Sequence, residues 1–274
     1  MFLSIDIGGT KTLLALFSHH GLCLRRFKFD TSHSGAKFVE DLETHLASFL
    51  PSKTRQKILA TTVAIPGVVK IENGSYSFKF GNLEWRNIDL LTPIKSLVSG
   101  KVFFANDANL ATLYESTRFG RKSSGKTVYL TFSTGIGGGI AQHGQITPAS
   151  ATFEPGHVKY EFNNKRLEWE DIASAKSLSE EYHTPLRGLK LSSDTIDDLV
   201  ARLSLGLIDI LEEESPELLI IGGPLGYLLK QLKKPLLRSL RTSITNLPKI
   251  KRAKKPSESV IYGAYLYSKQ NYRK

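Results

Sequence analysis

Residues 6–11, with the sequence D-I-G-G-T-K, constrain the fold of this chain more than any other segment. Apolar runs over residues 1–5 and 12–17 flank them, so the paired glycines join two predicted strands. This strand-turn-strand order differs from the dinucleotide fingerprint and the Walker loop, which both lead from a strand into a helix. It predicts a hairpin turn facing a phosphate, with Asp6 holding a hydrated Mg²⁺ ion, and a plain turn is the alternative. The phosphate-facing residues would be Gly8, Gly9, Thr10 and Lys11.

The same pattern returns in the second half of the chain. Residues 127–133 are a predicted strand, residues 134–139 (T-G-I-G-G-G) a glycine turn, and residues 140–142 a returning strand. Two phosphate-type turns in matching positions predict a duplicated α/β fold whose halves hold one nucleotide. The residues of the second turn assigned to phosphates are Thr134, Gly135, Gly137 and Gly138.

Strands and helices alternate around these turns. Residues 68–91 show no regular pattern, and we expect a long binding loop there. Apolar spacing elsewhere predicts, in chain order, helix 34–50, strand 58–65, strand 101–105, helix 196–211, strand 218–221 and helix 257–269.

The composition is that of a globular protein. The 274 residues are 41% hydrophobic. No apolar run approaches the roughly 18 residues that a membrane-spanning helix needs, so we expect no membrane partner. Cys23 is the only cysteine, which excludes an internal disulfide and favours a reducing, cytoplasmic location.

The formal charge of +11 comes from the C-terminal part of the chain. From Lys230 onward there are 13 lysines and arginines against the single acid Glu258. One interpretation is a solvated basic face. The other is attraction to a polyanion such as a nucleotide, polyphosphate or nucleic acid.

Polar or glycine residues follow two of the predicted strands. Asp107, after strand 101–105, either caps the following helix or acts as a general base over a cleft. Gly222 and Gly223, after strand 218–221, either admit the flat face of an adenine or simply make a turn. A third group of polar residues lies later in the chain. It consists of Glu154, His157 and Glu168, which offer several acceptors and a donor suited to the hydroxyls of a polyol.

In this order the motifs resemble the ROK family (repressors, open reading frames and sugar kinases). Residues 6–11 and 134–139 resemble its two phosphate motifs, and I-I-G-G-P at 220–224 resembles its adenosine motif. N-D-A-N at 106–109 resembles the segment with the catalytic aspartate, and E-P-G-H at 154–157 the sugar motif. The resemblance implies a two-lobed α/β protein with the actin-like ATPase (ribonuclease H-like) fold and duplicated βββαβαβα domains.

The resemblance also implies a kinase that moves the γ-phosphate of ATP, with Mg²⁺, to the 6-hydroxyl of a hexose, glucose being the first choice. Asp107 would take the proton of the attacking hydroxyl, since phosphoryl transfer needs positioning, charge neutralisation and a proton acceptor. Gly222 and Gly223 would join the two turns in nucleotide binding. The implied sugar contacts are Asn82, Asn106, Glu154, His157 and Glu168.

One departure from the family pattern concerns zinc. Many ROK proteins carry a cysteine-rich zinc segment after the sugar motif, but residues 159–169 contain no cysteine. Zinc needs three or four ligands, so we expect no structural zinc and a His157 available to sugar. Cysteine-free versions are similar to polyphosphate-dependent glucokinases, which begin their second half with a strand like Leu130, Thr131 and Phe132. Polyphosphate is therefore an alternative donor.

We expect a first lobe of residues 1–108, with the terminal helix 257–272 packed on it, and a second lobe of residues 109–256. Hexose and nucleotide would bind in the cleft between them, and the family suggests a homodimer. Fructose, mannose and N-acetylhexosamines are alternative acceptors, since one hydrogen bond can decide the choice. A sugar-sensing regulator is the non-enzymatic alternative. We expect no specific nucleic-acid partner, because a phosphate motif beginning at residue 6 leaves no room for a DNA-binding domain.

Overall fold

The computed structural model describes residues 1–72, 75–81, 83–119 and 125–273. The chain forms two compact units. The first joins Met1–Tyr114 to Ser257–Lys274, and the second is Glu115–Pro256. Within the described ranges, no helix is both long and apolar enough to cross a membrane.

Strands and helices are distributed over the whole length of the chain. Its first half contains β1 (Phe2–Ile7), β2 (Lys11–Phe17), β3 (Cys23–Asp30), α1 (Gly35–Phe49), α2 (Ser52–Arg55), β4 (Ala60–Ile65), β5 (Gly67–Glu72), β6 (Ser75–Phe80), α3 (Leu91–Lys95), β7 (Lys101–Asn106) and α4 (Asp107–Arg118). Its second half contains β8 (Thr127–Phe132), β9 (Ile136–Gln142), β10 (Gln145–Ile146), β11 (Lys159–Phe162), β12 (Lys165–Glu168), α5 (Trp169–Ala173), α6 (Ala175–Glu181), α7 (Ser193–Glu214), β13 (Leu218–Gly222), α8 (Leu229–Leu240), β14 (Lys249–Arg252) and α9 (Ser259–Asn271).

The first unit is built on a five-stranded sheet in the order β3-β2-β1-β4-β7. The strands β1, β2 and β3 form an antiparallel meander, whereas β1, β4 and β7 are parallel. The carboxyl ends of the three parallel strands therefore meet at one edge of the sheet. Asp6 and Asn106 lie at that edge, beside Ala64 and Ile65 of the central strand β4.

Helix α1 covers one face of this sheet, as its amphipathic pattern predicts. Ser34 caps the helix by accepting a hydrogen bond from the Lys37 amide. Burying each large apolar side chain of its inner face stabilises the fold by about 1.5–3 kcal/mol. These side chains are Phe38, Leu42, Leu46 and Phe49, which pack with Leu3, Ile5 and Ile7 of β1.

The terminal helix α9 packs on the opposite face, where Tyr265 contacts Phe2 and Phe17. A Cβ atom on Gly263 would overlap the carbonyl oxygen of Leu110 in α4. The glycine therefore lets the two helix backbones touch. This packing places the C-terminal helix in the first unit, although it lies more than 140 residues from the rest of that unit.

The second unit repeats the arrangement, with a sheet in the order β10-β9-β8-β13-β14. An antiparallel meander again leads into three parallel strands, here β8, β13 and β14. Helices α7 and α8 bury their apolar faces in the core of this unit, with Leu203, Leu207, Leu232 and Leu236 almost fully enclosed. The matching strand orders confirm the predicted duplication.

Three features differ from the predictions. Strands β5 and β6 form a hairpin in the region predicted as a loop, and the alternation of Tyr76, Phe78 and Phe80 was the missed signal. Strands β11 and β12 form another hairpin. Asn163 and Asn164 between them both have positive φ, which suits a two-residue turn. Edge strand β14 was also not predicted, because its lysines and arginines leave too few apolar residues for an alternating apolar pattern.

Candidate functional site

The first glycine turn is closed by a backbone hydrogen bond of 3.0 Å from the Gly8 amide to the Lys11 carbonyl. A Cβ atom on Gly8 would lie 2.9 Å from the same oxygen. The close approach of this carbonyl therefore explains why a residue without a side chain is needed at position 8. A positive φ is not the reason, because neither Gly8 nor Gly9 is among the described residues with positive φ. Thr10 is exposed in the turn. The Lys11 ammonium forms an exposed ion pair with Asp30, so its phosphate contact stays a prediction.

Two carboxylates come together at the edge formed by the parallel strands of the first unit. Asp6 is near the end of β1, and Asp107 directly follows β7 as the first residue of α4. Burial raises the pKa of Asp6 to about 7, and the negative charge of Asp107 contributes to this rise, while Lys28 opposes both. The edge thus concentrates negative charge on two half-buried carboxylates. A cation bound there would lower the energy of the charged pair.

Asn106 holds the start of α4 in place. Its Oδ1 accepts a hydrogen bond of 3.0 Å from the Asn109 amide, the pattern of a helix cap. Its Nδ2 donates to the Gly67 carbonyl at 2.8 Å. Asn106 was predicted to contact sugar, but both of its polar groups make internal bonds. These bonds hold the start of α4, where Asp107 lies, but the Asn106 amide keeps a second hydrogen and a second lone pair, so its sugar contact stays a prediction.

The second glycine turn is shorter than predicted. Strand β8 ends at Phe132 and β9 begins at Ile136, so only Ser133, Thr134 and Gly135 form the turn. Gly137 and Gly138 lie within β9, not in the turn. A Cβ atom on Gly138 would lie 2.6 Å from the Phe153 ring and 2.9 Å from the Leu130 side chain, so close packing accounts for that glycine, and the phosphate roles of Gly137 and Gly138 stay predictions.

Glu170 supports this turn. Its Oε2 accepts a hydrogen bond of 3.2 Å from the Ile136 amide. A Cβ atom on Gly156 would lie 2.8 Å from that oxygen, and one on Gly135 would overlap it. The glycines of the turn and of the E-P-G-H segment therefore make room for one carboxylate. Glu170 was not among the predicted site residues; the available signal was its position two residues after Glu168, with Trp169 between them.

A polar cluster lies next to this carboxylate. His157 Nδ1 is 2.9 Å from Glu168 Oε2 and 3.9 Å from Glu170 Oε1. The hydrogen bond with Glu168 raises the pKa of His157, and the charges of Glu170 and Glu154 add to this. The His157 side chain is 59% exposed, so the cluster faces solvent. The structure thus brings together three of the predicted sugar contacts, and Asn82 lies outside the described residues.

The same cluster offers more metal ligands than the sequence analysis counted. His157, Glu168 and Glu170 present one ligand atom each within 4.8 Å of one another. This part of the sequence contains no cysteine ligands, but a histidine and two carboxylates also suit a divalent cation. The expectation that this protein has no structural zinc therefore stays a prediction.

A buried arginine anchors the segment that carries the cluster. Arg202 of α7 is only 5% exposed and makes two hydrogen bonds to Glu181, at 2.7 and 2.6 Å, and one of 2.8 Å to Asp198. It also donates to the Ile172 carbonyl at 3.1 Å, and its own carbonyl accepts from Trp169 Nε1 at 3.0 Å. Since Trp169 separates Glu168 from Glu170, these bonds fix both glutamates relative to α7.

Gly222 and Gly223 end β13 beside the second turn. A Cβ atom on Gly222 would overlap the hydroxyl of Tyr129, and one on Gly223 would overlap the carbonyl of Phe132. Gly223 also has a φ of 69°, which other residues rarely adopt. Packing against β8 therefore explains both glycines without a ligand, and their nucleotide role stays a prediction.

Known proteins share the sequence pattern on which this geometry is built. The sequence model of the ROK family matches residues 2–271. A fructokinase of Lactococcus lactis subsp. cremoris is 28% identical over 231 residues, which are 80% of this chain and 77% of the fructokinase. A glucokinase of Thermotoga maritima is 27% identical, and the match covers 81% of each chain. A xylose repressor of Bacillus subtilis is 26% identical over 63% of this chain and 46% of the repressor.

Solved structures share the fold. A ROK family glucokinase from Streptomyces griseus, in complex with glucose and AMPPNP, superposes with a TM-score of 0.77 at 20% identity. The match covers 98% of this chain and 99% of that one. The two mixed sheets are thus those of the actin-like ATPase fold, as the motifs implied.

Proposed function

Because this chain belongs to the ROK family, we propose that it is a sugar kinase that transfers the terminal phosphoryl group of ATP to a hexose. Its glucokinase and fructokinase relatives support this reaction class. Glucose is our first choice of acceptor and fructose our second, followed by mannose and N-acetylhexosamines. Inorganic polyphosphate is the alternative donor.

The observation that carries the proposal is the acidic edge of the first unit, where Asp107 follows β7 and its charge acts on Asp6. Asp107 accepts the proton of the sugar 6-hydroxyl. The hydroxyl oxygen then forms a bond to the γ-phosphorus while the bond from phosphorus to the bridging oxygen breaks, and ADP leaves with that oxygen. A carboxylate held by a helix start is suited to this, because it needs no reorientation.

Mg²⁺ fits the residues at this edge. Carboxylate oxygens are the ligands that Mg²⁺ prefers, and a cation here would favour the ionised form of Asp6, whose pKa burial and the Asp107 charge raise. Asp6 would hold the ion, through water. When bound, Mg²⁺ neutralises charge on the phosphates. The two carboxylates thus have different roles. Asp6 would hold the cation, and Asp107 accepts the proton.

The cluster of the second unit suits the sugar. Glu154, Glu168 and Glu170 supply carboxylate acceptors for hydroxyl groups, and His157 supplies a donor. Charged acceptors make hydrogen bonds about twice as strong as neutral ones. A polyol that satisfies several of them is therefore strongly preferred over an analogue that lacks one hydroxyl.

The test is phosphoryl transfer by the purified protein with Mg²⁺. Glucose, fructose, mannose, N-acetylglucosamine and N-acetylmannosamine are each offered with ATP and, separately, with inorganic polyphosphate. We expect sugar-dependent release of ADP, fastest with glucose. The product is identified by mass and by the position of its phosphate, which should be the 6-oxygen.

Two outcomes would count against the proposal. Phosphate release that does not depend on sugar would indicate a hydrolase. Absence of transfer across the panel by protein that is folded and still binds sugar would favour a sugar-sensing regulator. Transfer from polyphosphate alone would keep the kinase and replace ATP as the donor.

A further inference from the structure

Two arginines converge on one exposed tyrosine in the second unit. The guanidinium carbon of Arg187 is 4.2 Å from the ring centroid of Tyr227, and that of Arg252 is 4.0 Å from it. Arg187 also donates a hydrogen bond to the Tyr227 hydroxyl. Tyr227 is 37% exposed, so the group is open to solvent. We call Arg187, Tyr227 and Arg252 the arginine pair site.

The arginine pair site lies at the ligand-binding edge of the second sheet. Tyr227 ends the short helical turn Pro224–Tyr227 that directly follows Gly222 and Gly223. Arg252 is the last residue of β14 and is paired with Ile221 of β13. Both therefore lie at the carboxyl ends of parallel strands, the edge where α/β proteins bind ligands. The second glycine turn follows β8 at the same edge.

The charge at this site is uncompensated. In the described part of the chain, neither arginine forms an ion pair with a carboxylate, although they share one ring. Two guanidinium groups on one ring bring like charges together, and contact with the aromatic ring offsets their repulsion only in part. Exposed lysines on β14 have a simpler explanation, because charged residues protect an edge strand from pairing with other chains. That explanation does not require Arg252 to lie over the ring that Arg187 also contacts.

We propose that the arginine pair site binds phosphoryl oxygens of the phosphate donor. Arginine is the residue best suited to phosphate, since its planar fork donates two parallel hydrogen bonds. Adjacent strands lie about 4.8 Å apart, so the ends of β8, β13 and β14 span roughly 10 Å from the second turn to Arg252. A phosphate chain bound at the turn by its reacting end extends along this edge to the arginines. The inference rests on the proposed function only in naming the anion as the donor.

The test is direct binding, measured by isothermal titration calorimetry without any sugar. The ligands are ATP, inorganic tripolyphosphate and a long-chain inorganic polyphosphate, each with Mg²⁺. The test variant is Arg187→Gln/Arg252→Gln. The control is Arg238→Gln/Arg241→Gln, which removes the same charge from exposed arginines at the C-terminal end of α8.

We expect the test variant to weaken long-chain polyphosphate binding by about tenfold or more and the control to stay within a few-fold of wild type. A loss confined to the long chain assigns the arginines to phosphates beyond the third. An equal loss for ATP and tripolyphosphate assigns them to the phosphates of a nucleotide. Equal losses in both double variants, or no loss in the test variant, would overturn the site.

The readout also separates this inference from the kinase proposal. If binding depends on the arginine pair site but the protein transfers no phosphate to any sugar, the site is supported and the kinase proposal is contradicted. If the protein transfers phosphate to a sugar but the test variant binds the donor as tightly as the wild type, the kinase proposal is supported and the arginine pair site is contradicted.

Discussion

The polar residues of the two units are held in different ways. In the first unit, Asp6 and Asp107 lie at the ends of β1 and β7, so the hydrogen bonds of the sheet itself fix their positions. In the second unit, His157 and Glu170 belong to a segment outside the five-stranded sheet. That segment depends on a separate anchor, the buried guanidinium of Arg202.

This difference shows what a duplicated fold does and does not repeat. Both sheets offer the same edge of parallel strand ends beside a glycine turn, but one edge carries carboxylates and the other carries arginines. The fold supplies the positions, and the residues at those positions supply the chemistry. Side chains on a segment outside the sheet need a separate rigid support, because the hydrogen bonds of the sheet do not fix their positions.

Asp107→Asn tests the first unit and should have the largest effect. Turnover should fall about 10²–10⁴-fold, because an amide cannot accept the sugar proton. The affinity for sugar should change little. Steady-state kinetics and calorimetric sugar binding measure the two quantities, with Asp197→Asn, an exposed acid of α7, as the control. Turnover within tenfold of wild type would remove Asp107 as the general base.

Arg202→Met tests the anchor of the second unit. The substitution leaves the buried Ile172 carbonyl without its donor and removes the bonds to Glu181 and Asp198, whose carboxylates are partly exposed and regain water, so the expected loss is about 1–3 kcal/mol. Urea unfolding should show this loss, while Arg238→Met, at an exposed position, should change stability by less than about 0.5 kcal/mol. Equal stabilities would mean that the inserted segment does not need the anchor.

Gly223→Ala asks how tightly the second sheet edge is packed. Gly223 combines a φ of 69° with a ψ of −173°, a conformation almost restricted to glycine, so alanine there costs about 1–3 kcal/mol; its Cβ atom would also overlap the Phe132 carbonyl, for a total of about 2–4 kcal/mol. Gly144 is a control for the positive φ without the packing, because its φ is 72° and nothing lies within 4 Å of an added Cβ. Gly144→Ala should lose only the backbone part. The same loss in both variants would contradict the packing of Gly223 on β8.

The pKa of Asp6 measures the coupling at the acidic edge. In Asp107→Asn it should fall below about 7, since one raising charge is gone, yet stay above 3.8 because burial, the larger cause, remains. A carbon-13 titration of the carboxyl groups without divalent cations would show it. Because the folded-state pKa is raised, the wild type should lose stability as pH rises from about 4 to 7, and the variant should lose less. An unchanged pKa would show that the two carboxylates are independent.

The smallest expected effect is on His157. In Glu168→Gln its pKa should move down toward the ordinary value of 6.5, because the hydrogen bond to a charged carboxylate is the main raising cause. Proton NMR titration of the imidazole detects the change. Asp171→Asn, an exposed acid on α5, serves as the control and should leave the titration where it is. A shift of the same size in both variants would mean that general charge, and not the Glu168 contact, sets the pKa.

The sequence by itself determined the elements that rest on local pattern. The apolar spacing of α1 and the presence of the two glycine turns follow from residues near one another in the chain, and both were predicted, although the second turn is shorter than expected. Ordered motifs also identified the family and thus the duplicated fold. Hairpins β5-β6 and β11-β12 were missed, because short strands with many polar or charged residues give a weak alternation.

Only the tertiary structure decided which polar groups act together. The pairing of Asp6 with Asp107, about 100 positions apart, depends on the parallel order of β1, β4 and β7. Glu170 joins the second turn because β12 and α5 return the chain to Ile136. The convergence of Arg187 and Arg252 on Tyr227 likewise requires the completed sheet. Hydrogen bonds and short-range charge interactions depend on which groups lie within a few ångströms of each other in space, and separation along the chain does not indicate that proximity.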